Sequence, residues 1–235
     1  MAEPQTATFS SSYTLKRVAL TYLIIFTVMN MAIYGFGLID TGFPYTLFFQ
    51  LTMYGLTVFI VQRGLKLSTV QIWQRCHSCS WLMILPAVLC LVFLFQGNIS
   101  EHFFELLEQT FVIALPEEWI FRGIYQYDLE RIFGKWKGLI ICSFLFSLLH
   151  IPRWLFWEDA PVGIVLSQVL SVAISGIIYG FFMNETHSLP FVVLLHAVTN
   201  MHFIPWAWKV IVYLALFASL KISSFLLSKQ ESTLS

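Results

Sequence analysis

The sequence predicts an all-α, polytopic membrane protein of about eight transmembrane helices with an intramembrane polar site. Of its 235 residues, 58% are hydrophobic and only 11% charged, and the mean hydropathy is +0.76. A soluble domain carries roughly a quarter of its residues as charges, so lipid is the main solvent here. Apolar runs long enough to cross a hydrocarbon core, about 20 residues as a helix, recur along the whole chain. The alternating pattern of a barrel strand is absent, which leaves helices as the spanning form, since they satisfy every backbone polar group internally. Aromatic residues make up 17%, including 23 Phe and 8 Trp, and the formal net charge is zero. That balance leaves no electrostatic footprint for nucleic acid; the expected partner is the bilayer.

Taken in order, the first 15 residues are polar and lack a short apolar region ending in a small-residue cleavage site, so the first run, 18–39, reads as a retained span. A second run covers 44–62. The connection after it holds a C-x-x-C at Cys76 and Cys79. A zinc set would need two more thiolates or a histidine pair, and His77 alone does not supply them. Runs three and four cover 80–96 and 103–125, the fourth containing Pro116, Glu117, Glu118 and Arg122. Run five, 137–152, ends around His150. Run six, 162–183, contains Ala173-Ile174-Ser175-Gly176, which is near the G-x-S-G of rhomboid-type serine proteases, but Ala173 replaces the first glycine and Ser175 is not expected to be a nucleophile. Run seven, 189–204, is short and carries His196 and Asn200; run eight covers 206–227. Trp136, Trp154, Trp157, Trp206 and Trp208 near the run ends read as interfacial anchors. Without repeats or a second composition, residues 1–235 form a single transmembrane domain.

Orientation follows from the cations in the connections. With a cytoplasmic N-terminus, Lys16, Arg17, Arg63, Lys66, Arg75, Arg131, Lys135, Lys137, Lys221 and Lys229 fall inside. Only Arg153 and Lys209 fall outside, and Arg122 lies within a helix. An integral, multi-pass protein with both termini cytoplasmic is therefore expected.

Chemistry is sought where ionisable groups interrupt apolar sequence, because such groups cost several kcal/mol unless they face a cavity or a partner. Glu118 and Arg122 stand at i and i+4, share one helix face and can pair, as can His196 and Asn200 on theirs. Glu117 is rotated about 100° from Glu118, so it faces another helix while Arg122 partly neutralises Glu118. Pro116 lacks an amide hydrogen and crowds the preceding turn, which loosens the helix just before the acidic pair. Glu117 and His150 lie at similar distances on either side of Gly134, hence at similar depth in an antiparallel pair. Isolated histidines near helix ends, His102, His187 and His202, read as structural, and Phe146 reads as a packing residue. Tyr127-Asp128 lacks the G-x-G-D partner of an intramembrane aspartyl protease, and no H-E-x-x-H is present; His102-x-x-Glu105 lacks the second histidine of the inverted form.

Three motifs in order, Glu117-Glu118-x-x-x-Arg122, Phe146-x-x-x-His150 and His196-x-x-x-Asn200, resemble those of the CPBP family. That family comprises type II CAAX prenyl endopeptidases and bacteriocin-processing or self-immunity enzymes, and is also called the Abi family. The resemblance covers about residues 110–204. It implies an intramembrane glutamic endopeptidase that hydrolyses a peptide bond of a membrane-bound or lipid-modified protein or peptide. By the same resemblance Glu117 is the general base, His150 orients and activates a water, His196 and Asn200 stabilise the oxyanion, and Glu118 with Arg122 shapes the site. Burial suits a glutamate to base catalysis, and an amide with an imidazole suits developing negative charge. Relatives of the prenyl-protease type look metal-independent, so no cofactor is expected; Glu117, His150 and His196 are also of ligand type, and a divalent metal such as zinc is the alternative they leave open. The alternative function is a non-proteolytic membrane protein of the same fold, acting in bacteriocin immunity, lipoprotein modification or transport. The complete set of acid, imidazole and amide favours the enzyme.

Overall fold

The structure, a computed structural model, describes residues 11–37, 43–69, 72 and 81–234; Arg75, Cys76, His77 and Cys79 lie outside the described residues. The described chain is helical, and a helix lies over each of the eight apolar runs. Two stretches, Lys135–Phe156 and Val162–Thr186, are long and apolar enough to cross a membrane. Trp81–Leu94 and Leu189–Asn200 are apolar but shorter. The chain divides into two compact units, residues 1–77 with 116–189 and residues 78–115 with 190–235.

The first unit contains α1 (Ser11–Gly37) and α2 (Phe43–Leu65). From Leu115 the chain runs through α5 (Leu115–Ile120), a π-helical turn over Phe121–Gln126 and α6 (Tyr127–Phe133). It returns as α7 (Lys135–Leu148), a π turn over Arg153–Trp157 and α8 (Val162–Thr186). The few polar groups of α1 are what fasten it. The Arg17 guanidinium donates to the Gly64 carbonyl at the end of α2. Buried Thr21 accepts a 3.0 Å hydrogen bond from the Tyr125 hydroxyl, and the Tyr22 hydroxyl donates to the Leu145 carbonyl at 2.9 Å. In an apolar surround such bonds hold helices that hydrophobic burial alone would not order.

Small residues let the backbones of α6, α7 and α8 approach one another. Gly134 takes φ +84°, a conformation L side chains rarely adopt, and turns α6 into α7. A Cβ added at Gly138 would lie 2.4 Å from the Glu130 backbone nitrogen. On α8, added Cβ atoms would lie 3.1 Å from the Ser143 Cβ at Gly176 and 2.6 Å from the Gln126 Oε1 at Gly180. Gly176 of the A-I-S-G run thus lies on the packing face of α8 against α7, and Ala173, nearly one turn before it, is buried. The other face of α8 shows Leu166, Leu170 and Ile174, each more than half exposed, an outward apolar stripe at i, i+4, i+8.

The second unit holds α3 (Ile84–Leu94) after a short 3-10 turn over Trp81–Met83, then α4 (Ile99–Leu107) and a π turn over Glu108–Ala114. From Pro190 it continues along α9 (Leu189–Asn200) and α10 (Trp206–Leu234). The α10 helix packs on α3, where Trp208 meets Phe93 edge-on at 6.1 Å.

Candidate functional site

Two π turns bracket the acidic pair. The Leu115 N–H bonds to the Thr110 carbonyl, five residues back, and a second widened turn begins at Phe121. Pro116, which has no N–H to give, falls between them, where the sequence places a loosened helix; widened turns of this kind recur at functional sites.

On α5 the two carboxylates have different surroundings. The Glu118 side chain is 0% exposed, and its Oε2 faces the Arg122 Nε at 3.0 Å. The two atoms are not aligned as a hydrogen bond, so the contact is a charge pair more than a directed bond. Arg122 is held on its other sides as well: Nη1 donates to the Cys142 Sγ at 3.8 Å, and the guanidinium lies 5.1 Å over the Phe146 ring. The Cys142 thiol in turn donates to the Phe121 carbonyl. Phe146 is therefore a packing residue that closes the ion pair. Glu117, on a different face, is only half-buried and accepts a 2.9 Å hydrogen bond through Oε1 from the Tyr54 hydroxyl of α2.

His150 follows the last turn of α7. Its Nδ1 lies 3.0 Å from the Phe146 carbonyl. A carbonyl only accepts, so Nδ1 carries the hydrogen of that bond and the neutral ring keeps its lone pair on Nε2. The ring stands edge-on to Phe146 at 5.0 Å and stacks on Trp154 at 5.7 Å. Trp154 was placed by the sequence among interfacial anchors; it is instead 7% exposed, because its indole covers the His150 imidazole. Trp136 and Trp206, in contrast, are more than half exposed, as anchors are.

In the second unit, His196 and Asn200 lie one turn apart on α9. His196 is buried at 5% exposure and Asn200 is half-buried. Lys209 of α10 fixes the end of their helix: its Nζ donates to the Thr199 and Met201 carbonyls at 2.8 and 2.7 Å. A cation on terminal carbonyls is the expected cap of a helix C-terminus. Lys209, which the sequence counts among the outer-side cations, is 8% exposed and spends its ammonium on these carbonyls.

Glu117, Glu118, Arg122, Phe146 and His150 all lie in the first unit, where Glu118, Arg122, Phe146 and His150 form a chain of contacts and Glu117 meets Tyr54, while His196 and Asn200 lie one turn apart on a helix of the second. Three other histidines lie among the described residues, and their surroundings are structural. His102 stacks on Phe203 at 4.3 Å, His202 bonds to Glu105 at 3.0 Å, and His187 takes the left-handed position that ends α8. A cavity of 610 Å³ in the first unit is lined by Arg131, Lys135, Glu130 and Asn184 and reaches in as far as Arg122. Within neither unit do three or more His, Cys, Asp or Glu among the described residues gather to hold a metal ion.

The contact of Tyr54 with Glu117 and the capping role of Lys209 are not marked in the sequence motifs. Nothing local marks Tyr54, a tyrosine in an apolar helix, and its place beside Glu117 depends on how α2 packs. Lys209 had a signal: it follows a helix end by nine residues, within reach of its carbonyls.

Residues 99–202 match the model of the Rce1-like family, described as type II CAAX prenyl endopeptidase Rce1-like. No curated protein and no solved structure matches the chain. The matched segment, which includes Glu117, Glu118, Arg122, His150, His196 and Asn200, is similar to the Rce1-like type II CAAX prenyl endopeptidase family.

Proposed function

We propose that the protein is an intramembrane endopeptidase that cleaves a peptide bond of a membrane-associated or lipid-modified protein or peptide. The observation that carries this reading is the different treatment of two adjacent carboxylates. Glu118 is buried and committed to Arg122, whereas Glu117 is half-buried and turned to another helix. A structural ion pair needs one glutamate; the second is available for proton transfer.

In this mechanism Glu117 takes a proton from a water whose oxygen attacks the scissile carbonyl carbon. The Nε2 lone pair of His150 accepts a hydrogen bond from that water and orients it. Negative charge then develops on the carbonyl oxygen, where His196 and Asn200 donate hydrogen bonds; removal of one such donor from an oxyanion site typically costs about 10²–10³ in kcat. The proton passes from Glu117 to the departing amine as the C–N bond breaks. The Glu118–Arg122 pair holds the helix that presents Glu117. Eight membrane crossings with both termini cytoplasmic belong to the same proposal, supported by the cation asymmetry of the connections.

Wild-type protein in detergent, incubated with a panel of membrane-anchored and lipid-modified peptides with and without a chelator, tests this by mass spectrometry of the new termini. Cleavage that persists with chelator is the expected result. Loss of cleavage with chelator would make Glu117, His150 and His196 a metal set, and no cleavage across the panel would favour the immunity, lipoprotein-modification or transport role.

A further inference from the structure

We propose that Tyr54 is a positioning residue for Glu117, so that the working site includes α2, outside the segment that matches the family. The inference rests on the reading of Glu117 as the general base.

The phenol hydroxyl is a neutral donor at ordinary pH and the carboxylate only accepts, so the 2.9 Å contact is an O–H of Tyr54 pointed at Oε1 of Glu117. A glutamate has three side-chain torsions. Arg122 fixes those of Glu118 by charge, but Glu117 faces away from that guanidinium. A tyrosine has two torsions and a rigid ring, and its hydroxyl therefore sets the carboxylate plane at little entropic cost.

The donor is itself well anchored. Two residues of the same helix, Thr57 and Gly64, show how α2 is held: Thr57 is 3% exposed, and the Gly64 carbonyl accepts the Arg17 guanidinium of α1. Tyr54 thus transmits the placement of the α1–α2 pair to the carboxylate. Misplacement of a reacting group by about 1 Å can cost about a hundredfold in rate, which is the loss at stake when the hydroxyl is removed.

The test uses full-length protein in detergent and four forms: wild type, Tyr54→Phe, Glu117→Gln and the double variant. Infrared spectroscopy with labelled glutamate reads the Glu117 carboxylate band, identified as the one missing in Glu117→Gln. Its displacement in Tyr54→Phe is expected, and an unmoved band would overturn the inference without any need for turnover. In the cleavage assay kcat should fall about tenfold to a hundredfold with KM and thermal unfolding unchanged, and Tyr54→Phe should add nothing in the Glu117→Gln background. Full kcat in Tyr54→Phe beside an inactive Glu117→Gln would overturn the role of Tyr54 alone. Full activity in Glu117→Gln would overturn the general-base reading and this inference with it.

Discussion

At the scale of single residues, the i, i+4 spacing of Glu118 and Arg122 was enough to read their pairing, and the 100° rotation between neighbours was enough to separate Glu117 from it. Burial decides what each is worth. Loss of one partner of a buried ion pair leaves an uncompensated charge and costs about 3–5 kcal/mol, so Glu118→Gln should lower the thermal unfolding temperature clearly. Glu117→Gln, at a half-buried position that keeps a hydrogen-bond acceptor for Tyr54, should leave it within about 1 kcal/mol of wild type. Unfolding followed by intrinsic tryptophan fluorescence in detergent distinguishes the two. Trp154 was misread for a reason that applies to any aromatic near a helix end: belt residues and residues that cover a polar side chain have the same sequence context, and only packing separates them.

At the scale of elements, apolar runs without period-two alternation made the helices legible, and Gly134 between Phe133 and Lys135 made the α6–α7 turn legible. The π turns were not, because one extra residue per turn leaves no mark on hydropathy; only Pro116 hinted that the helix would be irregular. Close packing at glycine offers a direct check. A Cβ at position 138 would meet backbone at 2.4 Å, and backbone cannot swing aside as a side chain can. Gly138→Ala is therefore expected to cost roughly 1–3 kcal/mol, read as a lower unfolding temperature, whereas Gly163→Ala, with nothing within 4 Å of the added atom, should not be destabilised. Lys209→Met removes a buried cap from α9 and should cost up to about 2 kcal/mol; if His196 and Asn200 are the oxyanion donors proposed above, turnover should fall by more than the folded fraction, because both sit on the uncapped helix. Comparing specific activity with the folded fraction at one temperature checks both parts.

At the scale of the whole molecule, composition declares a membrane protein, and the exposed apolar stripe of α8 agrees with it. The division into two units was not legible, since each unit gathers segments far apart in sequence and hydropathy carries no information on partners. The even number of crossings rests on the cation asymmetry. On a cysteine-free background, Ser12→Cys and Ser232→Cys should both resist a membrane-impermeant maleimide in intact cells and react once the membrane is opened; labelling of either in intact cells would reverse the orientation. The six candidate residues could be proposed from the sequence because each of their three motifs holds an i, i+4 pair inside apolar runs that tolerate few polar groups, whereas Tyr54 belongs to a helix with no such motif.

The most direct measurement is the turnover of Glu117→Gln against wild type on one cleaved membrane-anchored peptide, at equal folded fraction. General-base catalysis is worth about 10²–10⁴-fold, so a fall in kcat of at least about a hundredfold with KM unchanged is predicted. Turnover within a few fold of wild type would contradict the assignment of the base and, with it, the proposed mechanism.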